Sequence, residues 1–145
     1  MSKPQSPRLV DSHEAFASAR SVKGSPQKAQ LVLDLIRGKK VERALADLTF
    51  SRKRLADVAR KVLQSAIANA ENNHQLNVDK LVVARAFADK SIVMKRYSAR
   101  ARGRGARILK PRCHITVVVA EKAAEAKPAK AAKKAEPVNQ EKTEA

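Results

Sequence analysis

Apolar residues recur along this chain with two different periods, and the switch between them divides it. Ala29, Val32, Leu33 and Ile36 stand at i, i+3, i+4 and i+7, one face of a helix. Ser25-Pro26 supplies a cap residue followed by Pro at the first helical position, and Gly38 is placed to end the helix after Arg37. A short helix is predicted from about Val41 to Leu48. The most complete stripe follows: Leu55, Val58, Ala59, Val62, Leu63, Ala66, Ile67 and Ala70 predict a long helix from about Arg52 to Asn72. Ser51 is its expected cap, and Asn72 or Asn73 its left-handed stop.

The period then changes to two. LVVARAFA (Leu81 to Ala88) and HITVVV (His114 to Val119) are β-prone runs. On the second, Cys113, Ile115, Val117 and Val119 share one face, and His114, Thr116 and Val118 the other. Val83, Phe87, Ile115 and Val117 are expected to pack the root of a long hairpin. Pro111 cannot donate to a ladder, so a bulge or edge position is expected there. A weaker alternation in EAFASARSV (Glu14 to Val22) predicts a further strand. It sets Phe16, Ser18, Arg20 and Val22 on one face and Ala15, Ala17, Ala19 and Ser21 on the other. Those small residues suit close approach of another backbone. The fold expected is α+β: a small three-stranded antiparallel sheet packed with three helices, plus a long extended basic β-hairpin.

Charge changes the picture most between the two hairpin strands. Met94 to Arg112 holds eight cations, Lys95, Arg96, Arg100, Arg102, Arg104, Arg107, Lys110 and Arg112, and no Asp or Glu. Such a segment repels itself unless a polyanion neutralises it. Arg outnumbers Lys, and its planar fork matches phosphate oxygens. The whole chain has 145 residues and a formal charge of +17. Residues 121–145 carry six Lys against five Glu, so nearly all of the excess lies in residues 1–120. That low-complexity Lys/Ala/Glu tail reads as disordered, and residues 1–12 as a mobile arm. Residues 13–120 read as one basic domain suited to nucleic acid, with the hairpin at about 82–119. No apolar run approaches the length of a membrane span, the N-terminus lacks an apolar signal core, and a single Cys fits a reducing compartment. These features read as a soluble intracellular protein.

Catalysis finds no support in the residues. Cys113 and His114 are neighbours in a strand, so their side chains diverge and form no dyad. His13, His74 and His114 fit no metal-ligand spacing. No phosphate-loop or dinucleotide fingerprint is present. No enzyme, cofactor or metal is expected. An aromatic content of 3% argues against binding by serial base stacking. Ser65, Asn69, Asn72 and Asn73 form a small polar stripe on the long helix. It is open to two readings, a hydrogen-bonded face or a close contact to RNA sugar and phosphate. A basic DNA- or RNA-binding architectural protein remains the alternative.

Three segments together resemble one family. LIRGKKVERALADLTF (Leu35 to Phe50), KVLQSAIANAENN (Lys61 to Asn73) and KRYSARARGRGARILKPRCHITVVV (Lys95 to Val119) are similar to the bacterial large-subunit ribosomal protein family numbered twenty-two. The likeness covers about residues 10–120, and Ser98 stands where many members carry Pro. It implies a cytoplasmic structural constituent of the large ribosomal subunit, with residues 13–120 as a single RNA-binding domain that binds large-subunit ribosomal RNA and aids its assembly. It also implies neighbouring ribosomal proteins as partners, with no membrane span and no homo-oligomer. The hairpin tip, Met94, Lys95, Arg96, Tyr97, Ser98, Ala99, Arg100, Ala101, Arg102 and Gly103, would line the tunnel and meet the nascent peptide. The RNA anchors expected on the body are Lys23, Lys28, Arg37, Lys39, Lys40, Arg52, Lys53 and Arg54, beside the eight cations of the arm.

Overall fold

The computed structural model describes residues 10, 11 and 13–121; most of the expected N-terminal arm and nearly all of the expected tail lie outside them. The order is β1 (Glu14–Lys23), α1 (Pro26–Leu33), α2 (Val41–Phe50), α3 (Arg54–His74), a 3-10 turn (Val78–Lys80), β2 (Leu81–Ala99) and β3 (Gly105–Glu121). The strands form one antiparallel sheet in the order β1-β3-β2, with the return strand of the hairpin in the centre.

The core lies between this sheet and the helices. Cys113, Ile115, Val117 and Val119 of β3 are fully buried, as their shared parity predicts. From α3 come Leu55, Ala56, Ala59, Val62, Leu63, Ala66 and Ala70, with Val58 and Ile67 half-buried at the flanks. Ala15 and Ala17 of β1 point inward, and Asn69 Nδ2 donates to Phe16 O at 3.1 Å. The small side chains of β1 therefore let α3 lie close against the strand.

Several boundaries differ from the sequence reading. α1 ends at Leu33, and residues 34–38 continue as tight turns that still bury Ile36. Gly38 takes φ +75° at the close of these turns, where its N–H donates to Val83 O at 2.8 Å. Val83 N donates in return to Lys39 O at 3.0 Å, so this turn covers part of the free edge of β2. Ser51 ends α2 and does not cap α3, because α2 runs on to Phe50. The stop of α3 is Gln75 (φ 53°), past both asparagines. Leu76 decides this, packing on the core while its N–H reaches back to Ala70 O at 3.1 Å.

Bulges reset parity twice within the body of the sheet, and a third lies at the base of the ribbon. The β2–β3 register shifts between Val83 and Arg85, so Leu81 and Val83 point inward, then Ala86. Phe87, expected in the core, lies on the open face at 39% exposure beside Phe16 and Val118. The β1–β3 register shifts between Ala19 and Val22, where Ser21 has φ 54°. Val22 consequently joins the core, while Phe16 on its expected face stays outside.

Candidate nucleic-acid interface

β1 ends opposite Arg112, and beyond that level the hairpin continues as two strands alone. The transition is built from irregular backbone. β2 has a second register shift between Lys90 and Val93, next to Pro111 as expected. Ser21 N donates to His114 Nδ1 at 3.1 Å, and Arg112 Nη1 donates to Ser21 O at 3.3 Å. Ser21 Oγ and Ser91 Oγ lie 3.4 Å apart although β3 separates their strands in sheet order. Arg112, expected on RNA, thus spends part of its guanidinium on holding the β1 bulge.

The distal ribbon pairs Met94 with Lys110, Lys95 with Leu109, Arg96 with Ile108, Tyr97 with Arg107 and Ala99 with Gly105. Alternation places Lys95 and Arg107 on one face, Arg96 and Lys110 on the other. The five-residue turn 100–104 adds Arg100, Arg102 and Arg104, with Arg102 (φ 58°) and Gly103 (φ 67°) both left-handed. Arg100 N donates to Arg104 O at 2.8 Å and closes the turn. The bend is therefore narrower than the sequence suggested: Met94 to Ala99 are ladder residues. Lys90 to Ala120 contains no carboxylate. The three ion pairs found among the described residues, Arg37–Asp34, Lys39–Asp47 and Arg85–Glu14, all lie on the body.

At the shoulder, where the arm leaves the body, four expected body anchors and one arm cation converge. Lys23 from the end of β1, Lys28 from α1, Lys53 and Arg54 from the start of α3, and Lys110 from β3 surround one cavity of about 780 Å³. Arg54 Nη2 donates to Lys23 O at 2.5 Å and ties two of these segments together. Lys39 and Lys40 border a different hollow with Arg43, Glu42 and Asp47, where Lys39 Nζ stands 2.6 Å from Asp47 Oδ2. Arg37 is set apart: it donates to Ala86 O at 2.7 Å and pairs with Asp34, a fastening of the α1–α2 turn to β2. Arg52 is exposed beside Lys53.

The polar stripe of α3 divides likewise. Ser65, Asn69 and Asn73 line a groove against β1 with Lys61 and His74, and Asn69 is a hydrogen-bonding residue of the fold. Phe50 escaped the sequence reading. It is 86% exposed at the end of α2, two residues before Arg52-Lys53-Arg54. The available signal was its place off the Val41, Ala44, Leu48 stripe that α2 buries.

Cys113 is buried with Sγ 3.8 Å from Val22 O, and burial pushes its thiol pKa up. His114 sits on the opposite face and accepts from Ser21, so no dyad forms. Asp11, His13 and Glu14 bring possible metal-ligand atoms together at the start of β1, but Glu14 is engaged by Arg85. No helix among the described residues is long and apolar enough to cross a membrane.

A cationic ribbon with charge on both faces, carried on an α+β body, defines a charge-bearing protein built to meet a polyanion. Comparison with known proteins agrees: residues 17–120 match the family model described as ribosomal protein L22p/L17e, and the chain belongs to that family, which is structural and not enzymatic. It is 62% identical over 126 residues to the large ribosomal subunit protein uL22 of Methylorubrum extorquens (strain PA1), covering 87% of this chain and 99% of that one. The protein of the same name from Sinorhizobium medicae is 60% identical over 121 residues, 83% of this chain and 94% of the relative. That of Brucella abortus is 58% identical over 129 residues, 89% and 100% respectively.

Proposed function

We propose that this chain is a structural constituent of the large ribosomal subunit, holding large-subunit ribosomal RNA through residues 13–120. The observation that carries this is the arm: cations on both faces of a two-stranded ribbon, with no carboxylate from Lys90 to Ala120. One basic face would suit a groove-binding surface. Two faces suit a ribbon threaded between RNA segments, neutralised from both sides. β1 ends opposite Arg112, so the free ribbon spans about seven residue steps, Arg112 to Gly105, or roughly 23 Å at about 3.3 Å per residue. Its tip, Met94 to Gly103, would line the passage of the nascent peptide, with neighbouring ribosomal proteins and RNA around the stem.

Body anchors divide by what else they do. Lys23, Lys28, Lys53, Arg54 and Lys110 act together at the shoulder, with Arg52 and Lys40 as separate contacts. Arg37, Lys39 and Arg112 contribute through the fold first, given their intramolecular partners, and Arg54 serves both roles, because its Nη2 also donates to Lys23 O.

Affinity for an in vitro transcript of bacterial large-subunit ribosomal RNA, titrated against salt, tests the proposal. Each phosphate contact contributes a log–log slope of about −0.7 to −0.9, so a steep fall is expected. A salt-independent affinity points instead to a protein partner. For the tip, a photo-reactive nascent chain stalled in purified ribosomes is expected to label positions within 94–103, and labelling confined to other proteins removes the tunnel assignment.

A further inference from the structure

We propose that the shoulder cavity receives a single unstacked nucleotide, its phosphate on the cationic rim and its base against an apolar floor. This rests on the reading that RNA is the partner, and it specifies what the body recognises. The rim consists of Lys23, Lys28, Lys53, Arg54 and Lys110, and no carboxylate lines the site. The floor consists of Leu31, Leu55, Leu109 and Pro111.

Rim and floor make different demands. Lysines alone would suit any stretch of phosphate backbone. They do not account for Leu31 and Leu109, which remain 57% and 52% exposed beside them. A partner made only of phosphate and sugar leaves that apolar surface wet. A nucleobase offers an apolar face joined to an anion, and unstacked bases are the usual target of specific RNA recognition. A volume of about 780 Å³ lies within the range of about 300–1,000 Å³ typical of small-ligand sites.

Contacts within the chain fix the shape of the cavity. Gly24 N donates to Pro111 O at 3.3 Å, joining the end of β1 to β3. A Cβ at residue 24 would stand 3.1 Å from Leu55 Cδ2, so the chain passes tightly over the floor because glycine is there. Arg54 fastens Lys23 from the other side. α1 starts at this wall with no side-chain cap and no acidic residue in its first turn, which adds a positive helix end to the rim.

The test uses the full chain and an in vitro transcript of bacterial large-subunit ribosomal RNA, with affinity measured across a salt series. Lys28→Gln with Lys110→Gln is expected to weaken binding and reduce the salt slope by about one per lysine. Leu31→Asn with Leu109→Ser is expected to weaken binding about tenfold with the slope unchanged, because an uncharged contact releases no counterion. Both leucines are largely exposed, and far-UV circular dichroism confirms folding. If the leucine pair binds as the unaltered protein does while the lysine pair weakens, RNA is held but no base enters, and the inference falls alone. If the unaltered protein does not bind the transcript, the underlying reading falls with it. A photo-reactive benzoylphenylalanine at position 31, placed in assembled large subunits, identifies the occupant. An adduct to a nucleotide supports the proposal; an adduct to another protein's segment overturns it.

Discussion

The ring of Tyr97 fills the space that a side chain at residue 105 would need: a Cβ on Gly105 would stand 2.1 Å from Tyr97 Cε2. Tyr97 pairs directly with Arg107, and its ring reaches diagonally to cover the glycine two residues on. Gly105→Ala must swing this ring outward, which its 76% exposure allows. Because Tyr97 is the single tyrosine and there is no Trp, intrinsic fluorescence reads this place alone. Acrylamide quenching is expected to rise in the variant, with stability changed by no more than about 0.5 kcal/mol. Unchanged quenching would mean that the ring does not lie on Gly105 in solution.

Where β1 meets α3, the chain is intolerant of bulk. Ala15 is fully buried against a helix whose facing residues include Ala66 and Ala70. Ala15→Leu is expected to cost about 1–3 kcal/mol by overpacking. Phe16→Leu, one residue along and facing out, is expected to be far milder. Urea denaturation of the two variants decides, and equal losses would contradict the parity of β1.

Alkaline pH reaches the core through Cys113. Burial raises its pKa, so the folded state holds the proton more tightly than the unfolded chain, whose thiol titrates near about 8.5. The stabilising contribution is complete below that value and is lost as pH rises through the folded pKa. Cys113→Ala is expected to lower stability at pH 7, with the gap to the unaltered protein narrowing at higher pH. A constant gap from pH 7 to 10 in denaturant titrations would show that the thiol does not titrate differently on folding.

For Arg37, a structural role predicts a separation of effects. Arg37→Ala removes the donor to Ala86 O and is expected to destabilise by about 1 kcal/mol, chiefly through that bond. The partly exposed pair with Asp34 adds little. Lys28→Ala is expected to show the reverse pattern, with normal stability and weaker RNA affinity. Thermal melts and RNA titrations on both proteins measure the two axes.

Residues 121–145 add little net charge and no core pattern. A chain ending at Ala120 is expected to enter large subunits as well as the full chain does, measured by quantitative mass spectrometry of purified particles. Reduced occupancy of a folded truncated protein would make the tail an anchor.

What the sequence revealed follows from the length of each signal. The α3 stripe spans many turns, so its face was legible apart from Ala56, which is buried although outside the expected stripe, and so was the inward set of β3. Parity in β1 and β2 was not, because each bulge is a single irregular step with no Gly to mark it: Ser21, the step between Val83 and Arg85, and the step before Val93. Phe87 and Val22 changed sides for that reason. The arginine-rich arm announced itself by composition. The shoulder cavity could not, since its walls come from four separate segments that the fold alone brings together.

The bulges at Ser21 and Ser91, with Arg112 between their strands, sit where a three-stranded sheet narrows to a two-stranded ribbon. Mechanically this is the fulcrum of a lever. Seven residue steps lead from Arg112 to Gly105, so the lever is roughly 23 Å long, and a tilt of about ten degrees at its base carries the far end by roughly 4 Å. The Ser21–Ser91 hydroxyl contact, 3.4 Å, lies at that base, so a displacement there is expected to be magnified at the arginine-rich turn. Substitutions at Ser21, Ser91 or His114 are able to re-aim the arm without altering any residue on it.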